Sequence, residues 1–133
     1  MGHSVSRVAC GPLLQALMLI AKTARAEGTG LLVGYESEDE ALCYGLVAVR
    51  NVEESPVRFT MDPWGIVVAH KAAWNLGLDV VGVFHTHPCG EPVPSPLDAR
   101  FMRLWPMPWV IASPRGAGAW ILRDGEPVRL GLV

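Results

Sequence analysis

His85 and His87 close an apolar run, Val80-Val81-Gly82-Val83-Phe84, and Pro88 follows them. In a β-strand alternate side chains share a face, so both imidazoles project to the same side. Buried imidazoles need partners, and a metal ion is a good one. Asp98, eleven residues beyond His87, returns to the pair if the chain turns once. Two imidazoles and one carboxylate make a ligand set typical of hydrolytic zinc sites that keep one position open. Zn2+ is therefore the expected cofactor, with His85, His87 and Asp98 as ligands. The lone histidines His3 and His70 carry no such pattern.

Asp98 admits a second reading. Ser95-Pro96-Leu97-Asp98 is also a helix-start signature. Ser95 would be the N-cap, Pro96 the first helical residue, and Asp98 the third-position acid favoured by the helix dipole. The two readings differ in where the Asp98 side chain points, and spacing alone leaves both open. A general base is also needed. Glu27 sits at a helix–strand junction, but by composition Glu38, Glu40, Glu53 and Glu91 are equal competitors.

The elements that must position these groups can be read from periodicity. Gly11-Pro12 opens a helix to about Arg25, with Leu13, Leu14, Leu17, Ile20, Ala21 and Ala24 at the spacing of one buried face. Arg7, this apolar run and Ala24-Arg25-Ala26 loosely imitate a signal peptide. Gln15, Lys22 and Arg25 argue instead for an amphipathic helix, and the run is too short to span a bilayer. Residues 30–35 and 42–49 read as a strand pair joined by an acidic turn, and residues 51–56 as a polar loop. Arg58-Phe59-Thr60 reads as a short strand. Asp62-Pro63 starts a second helix, and Gly77 stops it. Residues 79–84 form a strand buried on both faces that delivers the histidines, with Thr86 facing away as packing. The third helix starts at Ser95-Pro96 and ends before Pro106. Residues 109–113, 119–123 and 128–133 complete the strands, with turns at Gly116-Ala117-Gly118 and Asp124-Gly125. The fold class is α+β (mixed α/β): a single curled sheet flanked by about three helices, in one domain over residues 1–133.

Half of the 133 residues are hydrophobic and the net charge is −2. No basic stripe is present, so neither nucleic acid nor membrane is the expected partner. Cys10, Cys43 and Cys89 make an odd count without metal-finger spacing, which points to free thiols in a reducing cytoplasm. Cys89 beside the histidines reads as a small packing residue. Trp64, Trp74, Trp105, Trp109 and Trp120 read as core. Zinc deaminase chemistry is excluded, because position 87 is His rather than Glu and Pro92 stands where a second Cys is needed.

The segment His85-Thr86-His87-Pro88, then Ser95, then Asp98 resembles the JAMM motif of MPN-plus metalloproteases, H-x-H-P-x6-S-x2-D. Glu27-Gly28-Thr29-Gly30-Leu31-Leu32-Val33-Gly34 is similar to that family's E-x-x-G-L-L-x-G segment. Asn51, Phe59 and Asp62-Pro63 also stand where family members often carry such residues. The resemblance spans residues 13 to about 123 and singles out Glu27 among the acids. It implies a sheet curling around a core helix, in a cytidine-deaminase-like layering, with zinc at the sheet edge. It implies hydrolysis of peptide or isopeptide bonds after the C-terminal Gly-Gly of ubiquitin-like or sulfur-carrier proteins. It implies Glu27 as general base and Ser95 as donor to the oxyanion. Two alternatives stand beside it: a non-catalytic binding module of the same fold, a type that usually lacks these ligands, and a RadC-like protein, which residues 87–95 match in part.

Overall fold

The computed structural model describes residues 5–25, 27–53 and 60–133. The expected strand at 58–60 lies mostly outside the described residues, as do His3, Ala26 and Phe59. The chain runs β1 (Arg7–Ala9), α1 (Leu13–Thr23), β2 (Thr29–Ser37), β3 (Glu40–Val49), α2 (Pro63–Asn75) and β4 (Asp79–Thr86). It continues α3 (Pro96–Leu104), β5 (Trp109–Ser113), β6 (Gly116–Arg123) and β7 (Glu126–Leu132). The mixed α/β class and the three expected helices are present.

The sheet is not the simply curled sheet expected. Its strands close into a barrel in the order β1-β3-β2-β4-β5-β6-β7. Closure is made by β1, which no periodicity announced. It pairs in parallel with β3 (Val8↔Ala41) and with β7 (Val8↔Leu132). Three residues are too few to show an alternating pattern, and their partners lie far along the chain.

Strand β4 lies between β2, antiparallel to it, and β5, parallel to it. Alternation in these strands feeds two cores. Leu32, Phe84, Val110 and Ala112 join Leu17 and Ala21 of α1. Leu31, Val83 and Trp109 join Ala69 of α2 and Met102 of α3. A side chain such as Phe84, almost fully buried, contributes about 1.5–3 kcal/mol over an exposed one. His85 and His87 have the parity of Val83, which turns them toward the α2 and α3 side.

Helix α2 corrects one expectation. Asp62 caps it, accepting from Trp64 N at 3.1 Å. The side it lays on the sheet carries small residues, Gly65, Ala69 and Ala73, and a Cβ at Gly65 would crowd Val49. Close approach through small residues leaves the bulky ones outside. Trp64 and Trp74 are 71% and 63% exposed rather than core. Trp109 is fully buried, while Trp105 and Trp120 are half-buried. Helix α1 ends at Thr23, two residues before the expected limit.

The β5–β6 turn is also displaced. It falls at Pro114-Arg115, and Gly116-Ala117-Gly118 lie within β6. Asp124-Gly125 does form the β6–β7 turn, both residues having positive φ (51° and 80°). Such a pair suits the twist of a tight hairpin.

The β2–β3 pairing shifts register between Val33 and Gly34. At that bulge a Cβ on Gly34 would sit on the Leu42 carbonyl oxygen. Backbone cannot yield as a flexible side chain does. Gly34→Ala is expected to lower unfolding free energy by about 2–4 kcal/mol, read as a reduced midpoint in urea denaturation. A midpoint equal to the parent's would show that the bulge relaxes freely.

Candidate active site

Strand β4 presents His85 in its last turn of pleat, paired with Thr29 of β2 on one side and Ile111 of β5 on the other. His87 follows one residue past the strand, its N–H donating to the Ala112 carbonyl at 2.8 Å. The two rings are perpendicular, 5.0 Å between centroids. His85 also lies edge-on to Trp109, at 6.2 Å, which closes its far side with apolar surface.

Both imidazoles are oriented by backbone carbonyls. His85 Nδ1 donates to Gly28 O at 3.1 Å, and His87 Nδ1 donates to Glu91 O at 3.0 Å. A carbonyl only accepts, so each Nδ1 carries the proton. In the neutral ring, Nε2 then carries the lone pair and is the atom a metal would take. The loop bearing Glu91 is itself tied down. Trp120 Nε1 donates to Pro92 O at 3.1 Å, and Arg115 pairs with the Glu91 carboxylate at 2.5 Å.

The two readings of Asp98 turn out to be one geometry. Ser95 Oγ accepts from Asp98 N at 3.0 Å, while Asp98 Oδ2 accepts from Ser95 N at 2.9 Å, closing a capping box at the start of α3. The same Oδ2 lies 2.8 Å from His87 Nε2, and Oδ1 lies 3.3 Å from His85 Nε2. The cap therefore aims the carboxylate at the imidazoles. Asp98 is only 1% exposed.

Glu27 arrives from the segment before β2. Its Oε1 lies 3.0 Å from His85 Nε2, and the residue is 8% exposed. Among the described residues, Glu27, His85 and His87 each place one donor atom within 4.8 Å of the others, a group that could hold a metal ion. Glu27, expected as the base, thus stands with the two histidines, and Asp98, expected as third ligand, faces both imidazoles at 2.8 and 3.3 Å. The competing acids are elsewhere: Glu40 pairs with Arg7, Glu53 bonds Thr60, and the Glu91 carboxylate is turned to Arg115.

The electrostatics follow from this crowding. Burial works to lower the His85 pKa, but Asp98 and Glu27 outweigh it and raise it from 6.5 to about 9. Burial opposes protonation of His87 too, yet Asp98 and the Glu91 carbonyl leave its pKa raised. Burial would raise Asp98, but the two histidines hold it well below the usual carboxylate range. Two lone pairs facing two carboxylates at about 3 Å demand a positive charge between them, either protons or a cation. The donor set, two nitrogens and carboxylate oxygens, suits zinc.

Thr86, expected as packing, is part of the arrangement. Its Oγ1 accepts from Gly28 N at 2.6 Å, and its N–H donates to Gly28 O at 2.9 Å. On the other side, Asn51 Nδ2 donates to Glu27 O at 2.7 Å. A hydroxyl on a doubly buried strand must find a partner. That was the signal available for Thr86. Cys89, expected as a packing residue, is exposed.

Fold and site together define the class. Residues 12–123 match the prokaryotic homologs of the JAB domain, and the chain belongs to that family, in line with its JAMM-type motif. A desampylase of Pyrococcus furiosus is 35% identical over 116 residues, covering 86% of this chain and 80% of that protein. A probable TtuB-protein conjugate cleaving protease of Thermus thermophilus is 32% identical over 112 residues, covering 84% and 72%. Protein DSY2949 of Desulfitobacterium hafniense superposes with a TM-score of 0.83 over 95% of this chain and 91% of its own. At 23% identity that likeness speaks for the fold alone. A Salinibacter ruber protein, 30% identical, gives a TM-score of 0.71 over 94% and 90%. No helix among the described residues is long and apolar enough to cross a membrane.

Without a cation, the site's stability is set by protonation. A histidine raised to about 9 stabilises fully below 6.5 and loses that contribution as pH rises through 9. A depressed carboxylate stabilises above its ordinary 3.8 and loses that contribution as pH falls. Chelator-treated protein is expected to melt highest between 3.8 and 6.5 and progressively lower toward pH 9. Zinc added at neutral pH is expected to release protons into weak buffer. A melting temperature that climbs from pH 6 to 9 without metal would contradict this balance.

Proposed function

We propose that the chain, as one domain over residues 1–133, is a zinc-dependent metallopeptidase of JAMM type. It hydrolyses peptide or isopeptide bonds after the C-terminal Gly-Gly of ubiquitin-like or sulfur-carrier proteins. The observation that carries this is the convergence of four buried side chains from three separate segments, Glu27, His85 with His87, and Asp98, around one small volume. The names borne by the P. furiosus and T. thermophilus relatives, 35% and 32% identical, support the substrate class. Free thiols at Cys10, Cys43 and Cys89 suit the reducing cytoplasm we assign to it.

His85 and His87 would hold the zinc through Nε2, with Asp98 as third ligand. Asp98 is the carboxylate that faces both Nε2 atoms, and its orientation is fixed by the helix cap. Glu27 has its close contact with His85 Nε2 and arrives from a different segment, and the JAMM resemblance assigns it to proton transfer rather than to the ligand set. A zinc ion held there would supply Lewis acidity, making a water a better nucleophile near neutral pH and polarising the scissile carbonyl. The Glu27 carboxylate takes the proton of the attacking water and hands it to the leaving amine. The Ser95 hydroxyl accepts from Asp98 N, so its own proton is available to donate to the developing oxyanion. No base lies against Ser95 Oγ among the hydrogen bonds of the described residues, which argues against a nucleophilic serine. Burial of the four groups keeps their interactions in a low-dielectric setting.

The test is incubation of zinc-loaded protein with carrier-protein fusions ending in Gly-Gly plus an extension, and with lysine-linked conjugates. Mass spectrometry should place the cut after the second glycine. Glu27→Ala is expected to keep stoichiometric zinc and lose about 100- to 10,000-fold in kcat. His87→Ala should lose the metal itself. A chain that binds no zinc and cleaves none of these substrates would instead be a non-catalytic module of the same fold.

A further inference from the structure

The residue cast as general base lies outside the regular ladder. Strand β2 begins at Thr29, and its pairing with β4 begins with Thr29 opposite His85. Glu27 precedes that by two residues, so sheet hydrogen bonding does not by itself hold its backbone. A carboxylate that must meet a water and a leaving amine within hydrogen-bond reach cannot be left to a loose junction.

The structure supplies a different hold. The Glu27 carbonyl and the Gly28 N–H are the two polar atoms of a single peptide unit. The carbonyl accepts from Asn51 Nδ2 at 2.7 Å, and the N–H donates to Thr86 Oγ1 at 2.6 Å. These side chains come from distant segments, one after β3 and one in β4. Asn51 is braced in turn, its Oδ1 accepting from Glu53 N and Thr60 N, both at 3.0 Å. Thr86 is fully buried and β-branched, so its χ1 has little freedom. The next peptide is held as well, because Gly28 O accepts from both Thr86 N and His85 Nδ1. Space is equally constrained: a Cβ on Gly28 would lie 2.9 Å from Thr86 Oγ1.

We propose that Thr86 and Asn51 are positioning residues that grip the Glu27–Gly28 peptide unit from both sides and so fix where the Glu27 carboxylate stands. The proposal rests on the peptidase reading for its catalytic consequence. It rests on backbone geometry alone for the grip. Neither side chain touches substrate or metal in this account. Each acts by fixing ψ of Glu27 and φ of Gly28, the two torsions on either side of the gripped peptide. Thr86 therefore links the histidine strand to the base, and one strand sets the relative position of both.

The experiment compares T86V, T86S, N51D and E27Q with the parent chain. Valine keeps the shape of threonine and removes the acceptor. Serine keeps the hydroxyl. Aspartate keeps the acceptor that braces Glu53 and Thr60 and removes the donor to Glu27 O. T86V and N51D are expected to lower kcat about 10- to 100-fold with KM and zinc content unchanged. T86S should return kcat toward the parent value. In an E27Q background, T86V should cost nothing further, because its effect passes through Glu27. Independently of activity, the Gly28 amide of zinc-loaded, nitrogen-15-labelled protein should exchange with solvent faster in T86V than in the parent or T86S. Full kcat in T86V, an added loss in the E27Q background, or unchanged Gly28 exchange would each overturn the grip. If the parent cleaves no conjugate, the peptidase reading falls, and Gly28 exchange decides the grip by itself.

Discussion

One carboxylate oxygen joins a helix to a strand in this molecule. Asp98 Oδ2 closes the α3 cap through Ser95 N and also meets His87 Nε2. Its partner oxygen faces His85. A buried carboxylate without such partners would be strongly unfavourable. Here the backbone N–H of the cap, the positive end of the helix and two imidazoles surround it. The same contacts dictate the distance between the start of α3 and the end of β4. The cap moves with the helix, so a shift of α3 relative to β4 would strain the contacts between Asp98 and the two histidines.

The rest of the site is built on that joint by rigid neighbours rather than by flexible loops. His85 lies on a central strand with ladder partners on both sides. The loop after His87 is irregular, and it is pinned from β6 by Trp120 through Pro92 O. The exposed Arg115–Glu91 pair adds little by itself, since solvent screens such contacts. Its position matters more than its energy, because the Glu91 carbonyl orients His87. Tautomer, ring plane and lone-pair direction are thereby fixed before any cation arrives.

Much of this was legible in the residues, and the limits have physical causes. The histidine pair followed from strand alternation, and the helix starts at Asp62 and Ser95 followed from capping chemistry. Both are local rules. Asp98 gave two local readings because spacing does not say that one carboxylate can satisfy a cap and an imidazole at once. Glu27 was singled out only by resemblance, since nothing near it in sequence distinguishes it from other acids. Barrel closure was invisible because it depends on a three-residue strand and distant partners. Trp64 and Trp74 were misplaced because α2 approaches the sheet through glycine and alanine, which hydrophobicity alone ranks below tryptophan.

The seam made by β1 also bears on how the chain acquires its shape. Val8 pairs with Leu132, and Cys10 N donates to the Val133 carbonyl at 2.7 Å. The first described strand therefore waits for the last one. Contacts of such long sequence separation form late and slow the search for the native state. During synthesis the β2–β3 hairpin and the β4 histidines can assemble while β1 still lacks its β7 neighbour. Until β7 leaves the ribosome, the barrel has an unpaired flank open to other chains.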